Sequence, residues 1–446
     1  MQASDKSSGY FDGKPLGKAQ YKFLAIATMA YFFDQMDLLN FSFVAPALQQ
    51  HWGVSMEWIG LVTSMTFFGM MCGCWFGGWI SDQIGRKPSF MISVSIFSVF
   101  SIINGLATTK GIFLLARSMT GFGVMAMVVI TMVYMVEMLP SENRGKLQGI
   151  TIGLGLLSAP LIGQFSEYII PLSVDGWRYV FYVGGFGIVI LILAAFWLTE
   201  SPRWLVSKGR VDEAKKAVEK IVPGHQVKLS ASNGISEKTS LKEVFSIIFG
   251  QSFARRTTIL LFLTGGITVG TFMWYNWMPT VLAAHGFTLE NSLFIAAIIS
   301  FGSPIGDLIS SAFSEKGGRK IPLVVYCIVI GLVAISYGFI ESPLFIIGVG
   351  VFLRMMVEGV WIFLWTYLAE SYPTKIRNTA TGIVYSTGRF LTAIAMLCVP
   401  YIFKQYGYTI LFVIIGLCFL IPGIITGLLG EHTAGRSLED INDGIV

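Results

Sequence analysis

Residues 31–48 read YFFDQMDLLNFSFVAPAL, and Asp34 and Asp37 stand in that otherwise apolar run. Arg117, Arg354, Glu358 and Arg389 fall inside similar runs, with Asp307 nearer the end of one. A charge at the centre of a membrane helix costs about 2.5–3.5 kcal/mol on insertion scales, so such residues usually pair and face a cavity. Burial and a neighbouring arginine act on a carboxylate's proton affinity in opposite directions, so a cavity that opens and closes can load and unload a proton. Arg354 and Glu358 are one turn apart and can pair locally. Arg389 lies about eleven residues into its run, in YSTGRFLTA, with no acidic residue nearby in sequence. Its fork of fixed donors suits a carboxylate, on a ligand or on span one. Trp274, Tyr275, Asn276, Trp277, Trp361 and Trp365 offer walls for a small-molecule site. Tyr275, Asn276 and Trp361 are the preferred members, Asn276 supplying donors and an acceptor.

The elements that must position these residues are membrane helices. The 446-residue chain is 54% hydrophobic and 13% charged, against about 25% charged in soluble domains, and its mean hydropathy is +0.68. Apolar runs long enough to cross a bilayer are expected near 23–48, 57–81, 89–107, 111–137, 147–170, 178–199, 257–284, 290–313, 321–340, 343–369, 378–402 and 408–430. The first run is too long for a signal peptide's apolar core, so no cleavable leader is expected. The polar segment 200–256 is read as a cytoplasmic linker, 1–22 and 431–446 as cytoplasmic tails. Of 31 Lys and Arg, only Lys110, Arg178 and Lys404 fall on outer loops and Arg117, Arg354 and Arg389 within spans; the other 25 lie on the inner side. That asymmetry puts both termini inside and explains the +5 charge without nucleic acid. The five cysteines lie in or beside spans and are read as packing thiols. No metal-ligand set or nucleotide motif appears, so neither metal, cofactor nor ATP is expected. The only histidine near a span interior is His285, at an edge, which argues against a histidine relay.

An internal repeat follows. EMLPSENRGKLQG (137–149) and ESYPTKIRNTATG (370–382) share E-x-x-P-x-x-x-R-x-x-x-x-G at a shift of 233. The same shift maps Gly85-Arg86-Lys87 onto Gly318-Arg319-Lys320, Asp82 onto Glu315, Pro46 onto Pro279 and Gly53 onto Gly286; near the ends it becomes 231, mapping Glu200 onto Glu431. Two six-span repeats in parallel register are a plan used by secondary transporters, with the substrate site between the halves near the midplane.

GGWISDQIGRK (77–87) and SAFSEKGGRK (311–320) resemble the loop motif of the major facilitator superfamily. TESPRWLVSKGR (199–210) and GEHTAGRSLED (430–440) resemble motifs of its sugar porters, organic-ion transporters and metabolite:proton symporters. The resemblance implies an all-α membrane protein with twelve helices in two pseudo-symmetric bundles, 23–199 and 257–430. Span seven lacks the Gln-Gln pair of sugar porters, and the D-x-x-D of span one is similar to aromatic-acid:proton symporters instead. By resemblance to sugar porters, Asp37 takes the proton and Arg117 is its partner. Asp34 then shares the proton, contacts substrate or satisfies Arg389; balancing of fixed arginines by both carboxylates is the plain alternative. Related organic-anion carriers place an arginine at the position of Arg389.

Gly77 and Gly78 allow close helix approach, Asp82 can pair with Arg86 or cap a neighbouring helix N-terminus, and the resemblance implies that this end of the helices is a gate. Glu137–Arg144 and Glu370–Arg377, with Glu315 and Arg319 in the second copy, hold the outward-open state. Simple fixing of topology is the alternative for all of them. Glu200-Ser201-Pro202-Arg203-Trp204 either joins short cytoplasmic helices or anchors Trp204 and Arg203 at headgroup level. The expected function is proton-coupled symport of a small organic acid across the inner membrane by a monomer. A sugar or polyol porter, an exporter and a non-transporting nutrient receptor are the alternatives, and an enzyme is not expected.

Overall fold

The structure is a computed structural model, and it describes residues 11, 13–140, 143–222, 241–251, 253–284, 286–313, 319–372 and 376–431. His285, Glu315, most of the linker, the tail 432–446 with its GRSLED stretch, and the side chain of Arg377 lie outside the described residues.

The described chain is helical. In order it forms α1 (Lys18–Trp52), α2 (Met56–Ile84), α3 (Arg86–Leu106), α4 (Lys110–Met138), α5 (Arg144–Leu156), α6 (Ser158–Ile169), α7 (Gly176–Gly185), α8 (Gly187–Trp197), α9 (Pro202–Ser207) and α10 (Val211–Ile221). After the linker come α11 (Leu241–Ile248), α12 (Ala254–Ala284), α13 (Leu289–Ser300), α14 (Gly302–Phe313), α15 (Lys320–Tyr337), α16 (Pro343–Glu370) and α17 (Arg377–Leu429). Ten segments are long and apolar enough to cross a membrane. The longest, in α17, is two helices joined across Gly407, whose φ of 79° is non-helical. Counting it as two and adding the 35-residue α1 gives the twelve crossings expected. Three crossings are broken once, between α5 and α6, α7 and α8, and α13 and α14. Gly155, Pro160, Gly184, Gly185, Gly187, Gly302 and Pro304 cluster at those breaks, the usual cause of helix kinks.

Close packing separates two compact units: Met1–Asp37 with Gly69–Ser158 and Phe181–Lys238, and Leu38–Phe68 with Ala159–Val180 and Thr239–Val446. These lines differ from the repeat boundary read from sequence, because segments 38–68 and 159–180 pack with second-half helices. Gly60 lies against Met396 and Pro400, and Gly163 against Ala297.

Small residues set the helix spacing inside each unit. In the first, Gly69, Gly73 and Gly77 of α2 abut Ser118, Phe122 and Ala126 of α4. In the second, Gly302 and Gly306 abut Val351 and Met355 of α16, and Gly359 abuts Ser310. These are the same positions 233 residues on, with the small partner of the third contact moved to the opposite helix. A side chain at Gly69, Gly73, Gly77, Gly302 or Gly306 would meet backbone, and one at Gly359 the side chains of Ser310 and Tyr326, so only small residues let the helices approach this closely. Gly78 is different from the expectation: nothing lies within 4 Å of a Cβ there, since it points off the packed face.

Charges close the α3 end of the first unit. Arg86 spans Asp82 (2.7 Å) and Glu137 (2.8 Å). Glu200 accepts the backbone N–H of Arg86 (2.9 Å) and of Ser201 (2.8 Å). Burial pushes the Glu200 carboxyl above its ordinary value despite these donors and the nearby Arg86 charge. Gly85 has φ 107°, and a Cβ would strike the Glu200 carboxylate, so this turn requires glycine. Tyr134 donates to the Thr199 carbonyl, and Lys87 Nζ donates to Leu198 O (2.9 Å) and Ala195 O (2.8 Å). The second unit repeats the scheme: Arg319 pairs with Glu370 (3.3 Å), Tyr367 donates to Glu431 O (3.0 Å) and Lys320 Nζ to Gly430 O (2.7 Å). Arg256 adds an ion pair with Glu431.

The expected Glu137–Arg144 pairing is corrected. Glu137 takes both Nε and Nη2 of Arg86, while Arg144 donates to the Leu139 carbonyl (3.2 Å). Glu370 likewise takes Arg319. The Arg86 guanidinium, held at the start of α3, occupies both Glu137 oxygens. Trp204 is also buried rather than an interface anchor: its indole N–H donates to Asp82 O (3.0 Å), and it packs with Leu205, Val206, Ala214 and Ala217 of α9 and α10.

Gly73→Leu should force α2 off α4 and destabilise the protein by about 1–3 kcal/mol, read as a lower melting temperature in detergent. Gly78→Leu, one turn and a residue away in the same motif region, should melt with the parent. Equal loss from both would refute the assignment of the packed face.

Candidate functional site

Three polar clusters lie in the apolar interior of the helices. The first is the pair Asp37–Arg117. Arg117 Nη1 donates to Asp37 Oδ1 at 2.9 Å, and both side chains are essentially inaccessible, at 2% and 0%. Arg117 Nη2 also reaches the Asp37 carbonyl at 3.4 Å, and the guanidinium stands 5.7 Å from the Phe181 ring. Asp37 Oδ2 is buried without a hydrogen-bond partner among the described residues. Removing one member of a buried pair strands the other, at a cost of about 3–5 kcal/mol. Asp34, also buried, accepts from Gln35 Nε2 (2.8 Å).

The repeat sharpens what this pair means. Adding 233 to Asp37 and Arg117 lands on Gly270 and Gly350, which pack against Phe419 and Ile299. The scaffold therefore forms at the equivalent place with no ion pair at all. The Arg86–Glu137 pair, by contrast, recurs as Arg319–Glu370.

The second cluster surrounds Arg389 on α17. Its Nη2 donates to Tyr385 OH at 2.6 Å, one turn earlier. The guanidinium lies 4.4 Å from the centre of the Phe272 ring, 5.2 Å from Tyr385 and 5.7 Å from Phe67. Cation–π contact of this kind is worth roughly 0.5–2 kcal/mol, the more so when desolvated. Trp361 extends the wall, 6.4 Å from Phe272 and 6.3 Å from Tyr385, and Trp365 lies tilted against Tyr385 at 4.6 Å. Only 6% of Arg389 is exposed.

The third cluster takes Tyr275 away from Arg389. Its hydroxyl donates to Glu358 (2.9 Å), and its ring lies 3.2 Å beneath the Arg354 guanidinium. Arg354 pairs with Glu358 (3.3 Å) and donates Nε to Ser303 (2.5 Å). Ser42 Oγ donates to the Tyr275 carbonyl (2.8 Å), and a cavity of about 20 Å³ lies among Ser42, Tyr275, Ser300 and Arg354, room for one water. Asn276 turns its amide N–H to its own helix, at Phe272 O (3.0 Å).

Of the expected substrate residues, then, Arg389 and Trp361 meet around one site, Tyr275 joins the Arg354–Glu358 pair, and Asn276 satisfies helix backbone. Phe67, Phe272 and Tyr385 belong to the Arg389 site and went unread. Tyr385 had a signal, four residues before the arginine on the same helix face. Phe67 had none, since it comes from α2. Among the described residues no group of three His, Cys, Asp or Glu could hold a metal ion.

The niacin transporter NiaP of Acinetobacter baylyi is 26% identical over 96% of this chain and 97% of its own. The 4-hydroxybenzoate transporter PcaK of Pseudomonas aeruginosa is 26% identical, over 85% of this chain and 86% of its own. In fold, the xylose transporter XylE of E. coli, in a partially occluded inward-open conformation, superposes with a TM-score of 0.77 at 18% identity, covering 94% of this chain and 99% of that one. The sugar (and other) transporter family matches residues 17–444, and the chain belongs to that family of the major facilitator superfamily.

Proposed function

We propose that this membrane transporter carries a small organic acid, an aromatic carboxylate first among candidates, together with protons. The observation that carries the reading is Arg389: a buried cation ringed by Phe67, Phe272 and Tyr385, with Trp361 behind. Such a site offers a carboxylate two parallel N–H donors and a flat ring an aromatic wall. Niacin and 4-hydroxybenzoate, carried by two relatives, are both aromatic acids.

Asp37 is the proposed proton carrier, and Arg117 its partner. Two features support this: the pair is absent from the repeat-equivalent place, and Asp37 keeps one carboxylate oxygen without a partner. When Arg117 holds Asp37, the carboxylate is favoured; when the pair loosens within an apolar surrounding, the acid is favoured. XylE is described as a proton:xylose symporter. Asp34 is kept as an auxiliary to Asp37. Tyr275 and Asn276 are assigned to substrate at one remove, through the helix that carries Phe272. Access alternates as the six-helix halves, 23–199 and 257–430, rock about the linker 200–256. The clusters of Asp82, Arg86, Glu137 and Arg144, and of Glu315, Arg319, Glu370 and Arg377, act as the gate. The protein works as a monomer with both termini on the cytoplasmic side of the inner membrane.

A neutral sugar or polyol is the second reading, favoured by the TESPRWLVSKGR stretch and the family match. A thermal-shift screen of the purified protein separates the two: stabilisation by aromatic carboxylates and not by pentoses, hexoses or polyols is expected, and the reverse pattern overturns the carboxylate assignment.

Arg389→Ala should weaken binding of the carboxylate hit about 10- to 100-fold, the loss of one charged hydrogen-bonded contact, measured by titration of intrinsic fluorescence. Unchanged affinity would remove Arg389 from the site. In proteoliposomes Asp37→Asn should retain counterflow exchange and lose accumulation driven by an inward acid gradient. Accumulation at the parental level would take Asp37 out of the coupling role.

A further inference from the structure

We propose that the groove between α3 and α8 is a binding site for an anionic two-chain glycerophospholipid, its acyl chain in the groove and its phosphate at Lys87, Lys22 and Lys220. The groove measures about 500 Å³ and is walled by Met91, Ile92 and Ile96 on one side and Leu191, Ile192 and Phe196 on the other. Ser95 and Ala195 form its floor, and the Ser95 hydroxyl is turned inward to Met91 O (2.8 Å), so the surface offered to a ligand is apolar. A saturated or monounsaturated chain fits such a trough without leaving a polar group unmet.

The groove ends in positive charge, and this selects the headgroup. Lys87 stands at its mouth, giving two of its three ammonium protons to Ala195 O and Leu198 O and keeping a third donor. Lys22 hangs over the Trp197 ring at 5.4 Å, at the end of α8. Lys220 is within electrostatic range of Lys87, brought there because the start of α1 abuts the end of α10, where Gly17 meets Ile221. Lys22 and Lys220 are exposed. The nearby acid, Glu200, already receives the backbone N–H groups of Arg86 and Ser201. Lys87 and Lys220 act on each other, and with Lys22 at the end of α8 they set positive charge beside an apolar trough, complementary to a phosphodiester attached to acyl chains. Basic clusters at helix ends recognise anionic lipids at about 1 kcal/mol per lysine, which is roughly fivefold for each.

The test is native mass spectrometry of the purified full chain in detergent, offered an equimolar mixture of dioleoyl phosphatidylglycerol and dioleoyl phosphatidylcholine. Retention of phosphatidylglycerol in several-fold excess is expected. The Lys22→Ala, Lys220→Ala double variant should bring the two lipids close to parity. Ala195→Trp, which fills the exposed groove floor, should lower retention of phosphatidylglycerol itself; a melting temperature equal to the parent's shows that it folds. Equal retention of both lipids by the parent, or a preference that survives in both variants, overturns the site.

Discussion

A charge placed in hydrocarbon has to bring its counter-charge with it, and the whole interior of this protein is arranged around that requirement. Asp37 has Arg117, Glu358 has Arg354, and Arg389 has an aromatic enclosure and a tyrosine hydroxyl. None of these solutions is cheap in free energy, since a buried pair returns little over a well-packed apolar substitute. The glycine stripes of α2, α14 and α16 serve the same end, bringing backbones close enough that side chains from different helices meet without water.

The two halves of the chain divide their polar residues by task. At the GRK end three contacts are duplicated: Arg86–Glu137 with Arg319–Glu370, Tyr134 with Tyr367, Lys87 with Lys320. Everything in the middle is single. Asp37 and Arg117 become glycines on translation by the repeat, and Arg389 falls back onto Leu156. Duplicated groups answer demands both halves share, such as closing a helix end. The unduplicated Asp37, Arg117 and Arg389 are the residues to which the proposed function gives the proton and the ligand.

Much of this was legible in the sequence, for reasons that differ by residue. The twelve crossings followed from hydropathy, because a helix in lipid must be apolar over its whole length. Asp37 and Arg117 were legible because charge in an apolar run is rare enough to be noticed singly. The Glu137–Arg144 pairing was misread because both residues sit in one motif, and motif proximity is sequence proximity; the real partner, Arg86, lies 51 residues back. Gly78 was misread for the same reason, since a Gly-Gly doublet does not say which glycine faces the neighbour. Phe272 and Phe67 could not be picked from 35 phenylalanines, because which aromatic meets Arg389 is decided by helix rotation and not by local pattern. Tyr275 was read as part of a substrate-site wall, and its hydroxyl and ring instead meet Glu358 and Arg354.

The hydrogen bond from Ser42 to the Tyr275 carbonyl joins residues 233 apart, which is the repeat distance itself. A residue that touches its own counterpart stands where a duplicated ancestor would have faced its mirror-like twin. Two identical side chains at such a spot must share one environment, whereas serine opposite tyrosine gives one a donor's part and the other a ring for Arg354. The two repeats thus differ at the point where they meet themselves, and it is there that a directional carrier can tell one of its faces from the other.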